Sequence, residues 1–293
     1  MTDADDDRAA LVALLRRIGP HAPGAAERIE AVGPRAALAE ELGAVASLFP
    51  DDLAPLIADA RADIARWTAS GLRLVTPLDA DYPANLHAVH DRPALLFIAG
   101  DPALVAGGRA IAVVGSRHAS DVGLARATTL ATELTGADHT VVSGLAAGID
   151  TAVHRAVLAA GGRTFAVIGT GHDHAHPPAN AGLQAELARS NAVVSALWPD
   201  TGPHPDNFRR RNGLMSGLSR GTVIAEATSR SGTRVQARLA LGHGRPVFLL
   251  SPLLSQGWAA ELAERPGVHV VDTAAEVIAI TDRVDRPLSD GPR

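Results

Sequence analysis

From about residue 71 onward the chain alternates short apolar runs with Ala-rich stretches of helical spacing. The runs are ALLFIAG (94–100), AIAVVGS (110–116), HTVVSG (139–144), TFAVIGT (164–170), AVVSAL (192–197), TVIAEA (222–227), PVFLL (246–250) and GVHVVD (267–272). A strand that is apolar throughout must be buried on both faces, and the helices between such strands are what cover them. The pattern predicts an α/β protein with an extended Rossmann-like, doubly wound, mostly parallel sheet. Ligands of such sheets bind at the carboxyl ends of the strands. Function is therefore sought in the residues just after each run.

Residues 8 to about 70 carry helical patterning instead. RAALVALLRRIG sets Leu11, Leu14, Leu15 and Ile18 on one stripe, and Gly19-Pro20 ends it. The expected organisation is a small all-helical domain over 1–70, the Rossmann-like domain over 71–282, and a disordered tail over 283–293. With 46% hydrophobic but only 3% aromatic residues, the core must be built from Ala, Val, Leu and Ile. The 27 basic residues against 32 acidic ones give −5, which excludes a nucleic-acid coat over the whole surface and leaves a local basic patch. The lack of cysteine excludes disulfides and thiolate chemistry. The start MTDADDDRAALV is unlike a signal peptide, and no apolar run approaches the roughly 20 residues that span a bilayer. A cytoplasmic protein without a membrane segment is expected.

Five strand-end segments carry candidate chemistry. In GSRHASDVG (115–123), Gly115 and Ser116 suit a tight turn and Ser120 or Asp121 a helix cap. Arg117 would add a charge-assisted bond to a phosphate held at that helix start. The segment is neither G-x-G-x-x-G nor a Walker A loop, so standard dinucleotide and ATP-hydrolysing sites are not indicated. In SGLAAGIDTAVH (143–154), Asp150 and His154 share a helix face. They either bond each other or serve as a cap and a core imidazole. GTGHDHAHPPAN (169–180) holds His172, His174 and His176 at alternate positions. In an extended segment these rings would share one side, to hold a metal or to line a pocket. Arg209-Arg210-Arg211-Asn212, the densest basic cluster, begins a helix after Phe208 and is either a solvated face or a phosphodiester site. Ser231-Gly232-Thr233 opens another helix with free N–H groups.

Taken in order, PLDADYPANLHAVHDRPALLFIAGD, VVGSRHASDVG, VVSGLAAGIDTAVHRAVLAAGGRTFAVIGTG, HPPANAGLQAEL, NFRRRNGLMSGLS, EATSRSGT and GRPVF resemble the DNA-processing protein A family (DprA, also called Smf) over roughly residues 71–250. The resemblance implies an extended Rossmann-like fold behind a small helical (SAM-like) domain. It implies a non-enzymatic protein, with no cofactor or metal, that binds and protects single-stranded DNA in natural transformation and loads the RecA recombinase. It also implies a homodimer formed through the Rossmann-like domain. By this resemblance Gly115, Ser116 and Arg117 form a phosphate turn, and Ser143, Gly144, Gly148, Asp150 and His154 a second loop. Gly169, Gly171 and Asn180 mark the third, Phe208, Arg209, Arg210, Arg211 and Asn212 the Phe-x-x-Arg-Asn segment, and Ser231, Gly232 and Thr233 the last turn. The three histidines are then expected to line the pocket and to gain charge near a phosphate as pH falls through about 6.5.

The chain departs from the family pattern at several positions. Ala196 stands where Glu is usual, Gly213 where an Arg follows the Arg-Asn pair, and Ala181 where many members are basic. His176 replaces a Tyr, Ser251-Pro252 replaces Pro-Gly, and the C-terminal winged helix of many members is expected to be missing. Lost basic positions weaken the electrostatic term that dominates single-strand affinity. The alternative is a nucleotide-binding enzyme or sensor of the LOG-type phosphoribohydrolase group, which looks similar at its glycine turns. Those enzymes place a Glu three residues after a Gly-Thr pair. Here Gln236 follows Gly232-Thr233, and a neutral amide cannot accept a proton as a carboxylate does.

Overall fold

Every one of the eight apolar runs forms a strand in the computed structural model, which describes residues 3–43, 53–229 and 231–284. The chain begins with helices α1 (Asp3–Ile18), α2 (Ala25–Val32), α3 (Pro34–Leu42) and α4 (Ala54–Ala69). Next come β1 (Leu72–Val75), α5 (Ala84–His87), β2 (Leu96–Gly100), α6 (Pro102–Ala106) and β3 (Ala110–Gly115). Then follow α7 (Asp121–Gly136), β4 (Thr140–Ser143), α8 (Ile149–Ala159), β5 (Thr164–Val167), α9 (Ala181–Ser190) and β6 (Ala192–Ser195). The chain continues through α10 (Pro205–Leu218), β7 (Gly221–Glu226), α11 (Thr233–Gly242), β8 (Val247–Leu250), α12 (Gly257–Ala263), β9 (Val268–Val271) and α13 (Ala274–Val284).

The strands form one nine-stranded sheet in the order β1-β2-β6-β5-β4-β3-β7-β8-β9. β3 to β9 pair in parallel, whereas β1 and β2 are antiparallel at one edge. Side chains alternate as the pleat requires. Ile111 and Val113 pack against α7 and α8 on one face, while Ala112 and Val114 pack against α10 and α11 on the other. The three largest fully buried side chains, Phe97, Phe165 and Phe248, are spread along the sheet. Burial of each contributes on the order of 2–3 kcal/mol.

β1 does not read as a strand in the sequence. It has four residues, Arg73 faces solvent, and all of its pairing is with β2. It nevertheless joins the two parts of the chain: Leu72, Leu74 and Phe97 share a core with Leu11, Leu14 and Leu15 of α1. Trp67 packs edge-on to Phe97 at 4.9 Å and stacks on Trp198 at 5.7 Å. The expected tail begins too early, because α13 runs to Val284; residues 285–293 lie outside the described residues. No helix among the described residues is long and apolar enough to cross a membrane.

Candidate nucleic-acid interface

β3 lies between β4 and β7, so the chain leaves it in two directions and a crevice opens at the strand ends. A register shift at Val114/Gly115 sets the end of β3 beside Glu226, and the Ser116 N–H donates to the Glu226 carbonyl at 2.7 Å. The resulting cleft, about 480 Å³, is lined by Gly115, Ser116, Arg117 and Asp150 from one wall. Phe208, Arg209, Arg211 and Asn212 of α10, with Ser231, Gly232 and Thr233 at the start of α11, line the other. Residues spread over more than a hundred positions thus meet at one edge.

Arg211 dominates the cleft electrostatically. Its side chain is only 7% exposed, and its ion pair to Asp150 is long, at 3.9 Å. Its Nε has no hydrogen-bond partner among the described residues. Burial pulls the guanidinium below its usual range, and the Asp150 charge opposes that pull. Burial raises the Asp150 carboxyl in turn, with Arg211 opposing. Each partner is therefore under-compensated, which is costly for a buried charge and leaves Arg211 ready for a second anion.

The loop after β4 is shaped around that guanidinium. A Cβ added to Gly144 would stand 1.2 Å from Arg211 Nη1, so only glycine lets the arginine lie there. Gly148 has φ of +76°, and a Cβ there would meet the Ser116 carbonyl oxygen at 2.3 Å. Leu145 sits at φ of +57°, a strained conformation for a branched side chain. Asn180 holds this turn, donating to Leu145 O at 2.9 Å and to Thr151 Oγ1 at 2.8 Å. Asp150 accepts from the Gly144 and Ala146 N–H groups at 3.2 and 3.3 Å.

Phe208 offers the cleft an aromatic face. Its ring lies 5.1 Å from His176 and beneath the Arg117 guanidinium, 5.7 Å from ring centroid to Cζ. A Cβ on Gly169 would touch that ring at 2.5 Å, so Gly169 backs Phe208 rather than facing the cleft. Gln236, also lining the cleft, is 1% exposed and leaves its Oε1 without a partner among the described residues. Cations, an aromatic face and an unpaired acceptor are what a nucleotide's phosphate, base plane and base N–H groups call for.

Comparison with known proteins accords with this chemistry. The family described as DNA recombination-mediator protein A matches residues 73–284. The chain belongs to that family. DNA processing protein DprA of Streptococcus pneumoniae is 40% identical over 206 residues, covering 69% of this chain and 72% of its own. The Bacillus subtilis DprA is 34% identical over 196 residues, covering 67% and 66% respectively. Against Escherichia coli Smf the match spans half the length of that relative. The X-ray structure of the S. pneumoniae DprA superposes with a TM-score of 0.70 at 30% identity, covering 94% of this chain and 95% of that one. A DprA from Helicobacter pylori, described for its single-stranded DNA binding mode, gives 0.64 at 25% identity over 73% and 96%. As a member of the recombination-mediator family, the chain is not a nucleotide N-glycosidic hydrolase.

Within this DprA frame, several residues predicted for the DNA surface take supporting positions instead. Ser143 is fully buried and donates to Val113 O at 2.7 Å. His154 is also fully buried, bonded to Thr164 Oγ1 at 2.9 Å and not to Asp150; desolvation lowers its pKa to about 3. Asp150 lines the cleft, but its carboxylate is engaged by the Gly144 and Ala146 N–H groups and by Arg211, while Gly144, Gly148 and Asn180 shape the loop. Gly171 packs against the 198–201 segment, donating to Thr201 O at 2.8 Å. Arg210 lines a neighbouring cavity with His21 rather than the cleft. Gly213 lines that same cavity and is absent from the cleft lining.

The histidine loop is the clearest correction. It is turned rather than extended, so alternate residues do not share a side. His172 Nε2 bonds Phe97 O at 3.1 Å, His174 Nε2 bonds Asp200 O at 3.0 Å, and His176 packs on Phe208. Burial lowers the His172 pKa, which removes it from any cationic role near a phosphate.

The start of α7 is a second correction. Ser120 caps it, accepting from Gly123 N at 3.0 Å, as the sequence predicts. The anion on its free N–H groups is the protein's own: Glu226 accepts from Ser120 N at 2.9 Å and from Ser120 Oγ. Glu226 escaped sequence reasoning, although an acid at the carboxyl end of a parallel strand is the signal that could have revealed it.

Proposed function

We propose that this protein binds single-stranded DNA, without sequence preference, in the cleft between the ends of β3, β4 and β7. The carrying observation is Arg211, buried beside the cleft with a long ion pair and an unpartnered Nε. A phosphodiester oxygen supplies the missing partner, Arg117 and Arg209 hold neighbouring phosphates, and Phe208 stacks a base. The backbone edges at Ser116 and Ser231–Thr233 flank the path. Protection of the strand in transformation, its transfer to RecA, a homodimer formed through the sheet domain, and a cytoplasmic setting belong to the same proposal. They are supported by membership of a recombination-mediator family.

Fluorescence anisotropy of a labelled oligonucleotide tests the core of this reading. Binding should fall with salt by about 0.7 log units in K per log unit of salt for each phosphate contacted. Arg211→Ala should weaken all sequences alike. Absence of binding at low salt would overturn the proposal. Sedimentation tests the dimer, and RecA filament assembly on DNA bound by this protein tests the hand-over.

A further inference from the structure

The cleft does not end at α11. Ser231 and Val235 line it and also line a second concavity of about 600 Å³ on the other side of that helix. The second concavity is walled by Arg234, Arg238, Trp258 and Arg265, with Glu261 as the acid among them. Arg234 and Arg238 stand at i and i+4, so they share one face of α11. Arg234 donates to Ser229 O at 3.1 Å and lies 5.8 Å from the Trp258 ring centroid.

Two features separate this patch from an ordinary solvated face. The first is the state of its arginines. In the helical part and its border with the sheet, most arginines are matched to acids, as Arg8 is with Asp79, Arg28 with Glu40 and Glu41, and Arg92 with Glu27 and Glu30. Arg234, Arg238 and Arg265 have no carboxylate partner among the described residues. The second is a tethered aromatic. Trp258 Nε1–H donates to Gln256 Oε1 at 2.8 Å, and Gln256 Nε2 donates to Ala227 O at 2.6 Å, just past the end of β7. The ring is half-buried and fixed, whereas Trp67 and Trp198 are stacked on each other in the core.

We infer that the DNA strand continues from the first cleft across the start of α11 into this second concavity, where Trp258 stacks a base and Arg234, Arg238 and Arg265 hold its phosphates. The inference rests on the proposed single-strand binding. It extends the site by residues that the motifs do not mark. In a chain with a net charge of −5, unpaired guanidinium groups around a fixed indole make a local electrostatic and stacking platform of the kind single strands use.

The test pairs oligothymidylates of two lengths, about 6 and about 20 nucleotides, within and beyond the typical single-module site size. The 20-mer should quench tryptophan emission in the wild type, and the quench should disappear in Trp258→Phe. Arg234→Ala/Arg238→Ala should weaken the 20-mer about tenfold and the 6-mer less than twofold, with the salt slope for the 20-mer lower by about 1.4. Circular dichroism checks that the variants fold, and Arg234→Lys/Arg238→Lys should restore most of the salt slope. An unchanged quench in Trp258→Phe, or equal effects of the double variant on both lengths, overturns the inference. If Arg211→Ala still weakens binding of both lengths in that case, the first cleft stands alone. If no oligonucleotide binds the wild type at low salt, both readings fall.

Discussion

The strand ends after β3 and β4 look alike in the sequence: an apolar run, a Ser and a Gly in adjacent positions, then a helix. In the structure they do opposite things. The helix start after β3 is already neutralised by Glu226, which reaches it from β7. The turn after β4 is pressed against Arg211, a cation whose partner stands 3.9 Å away. A helix start is an anion site only when the fold leaves it empty. The difference is made by which distant side chain arrives, an acid in one case and an under-paired arginine in the other.

Gly144→Ala should break the β4 side most severely. Its methyl group would displace the Arg211 guanidinium, and loss of charge-assisted bonds to phosphate at about 1.5–3 kcal/mol weakens DNA binding roughly ten- to hundredfold. Anisotropy titration beside a thermal melt checks it. Retained affinity in a folded variant would mean Arg211 does not hold the strand.

Acid should undermine the same side next, through His154. Its folded pKa, about 3, lies below the unfolded value of 6.5. Below pH 6.5 the unfolded chain therefore takes up a proton that the native imidazole refuses, and stability declines until about pH 3. The slope is roughly 1 kcal/mol per pH unit, and His21, lowered to about 4, acts in the same direction. Urea midpoints at pH 7, 6 and 5 should fall steadily, and His154→Gln should flatten the decline.

Glu226→Gln sharpens the comparison from the β3 side. It removes the charge at the start of α7 and should lower stability by about 1 kcal/mol, while DNA affinity stays within threefold. A large loss of binding would show that the β3 end holds DNA after all. Arg117→Ala should have the smallest effect, a few-fold loss of affinity with a salt slope lower by about 0.7, because its side chain is solvent-exposed.

Much of the fold is legible in the sequence because burial on both faces leaves a strong mark. All eight strands with apolar runs are found where those runs stand, although β9, at the sheet edge, leaves Val270 exposed. β1 is not legible, since an edge strand with Arg73 in solvent needs no such run. The parts of the candidate site are legible: Gly115, the Arg211-Asn212 pair and the Ser231–Thr233 turn line one cleft, whereas Gly169 and Gly171 do not. The roles are not. Ser143 and His154 share a segment with Gly144 and look equally available, yet both are buried beneath the turn. Alternation in the histidine loop suggested a shared side, but the backbone turns there, and each ring finds its own partner.

The sequence alone determined the layering of this protein, because apolar periodicity is a local property tied to how each element must be covered. It also pointed to the strand-end edge as the place of the candidate site, since strand ends follow from strands. Tertiary structure decided which of those groups are free to act. Whether a cation or a helix start is satisfied depends on Glu226 reaching α7 and on Asp150 stopping short of Arg211, distances set by packing between elements far apart in the chain.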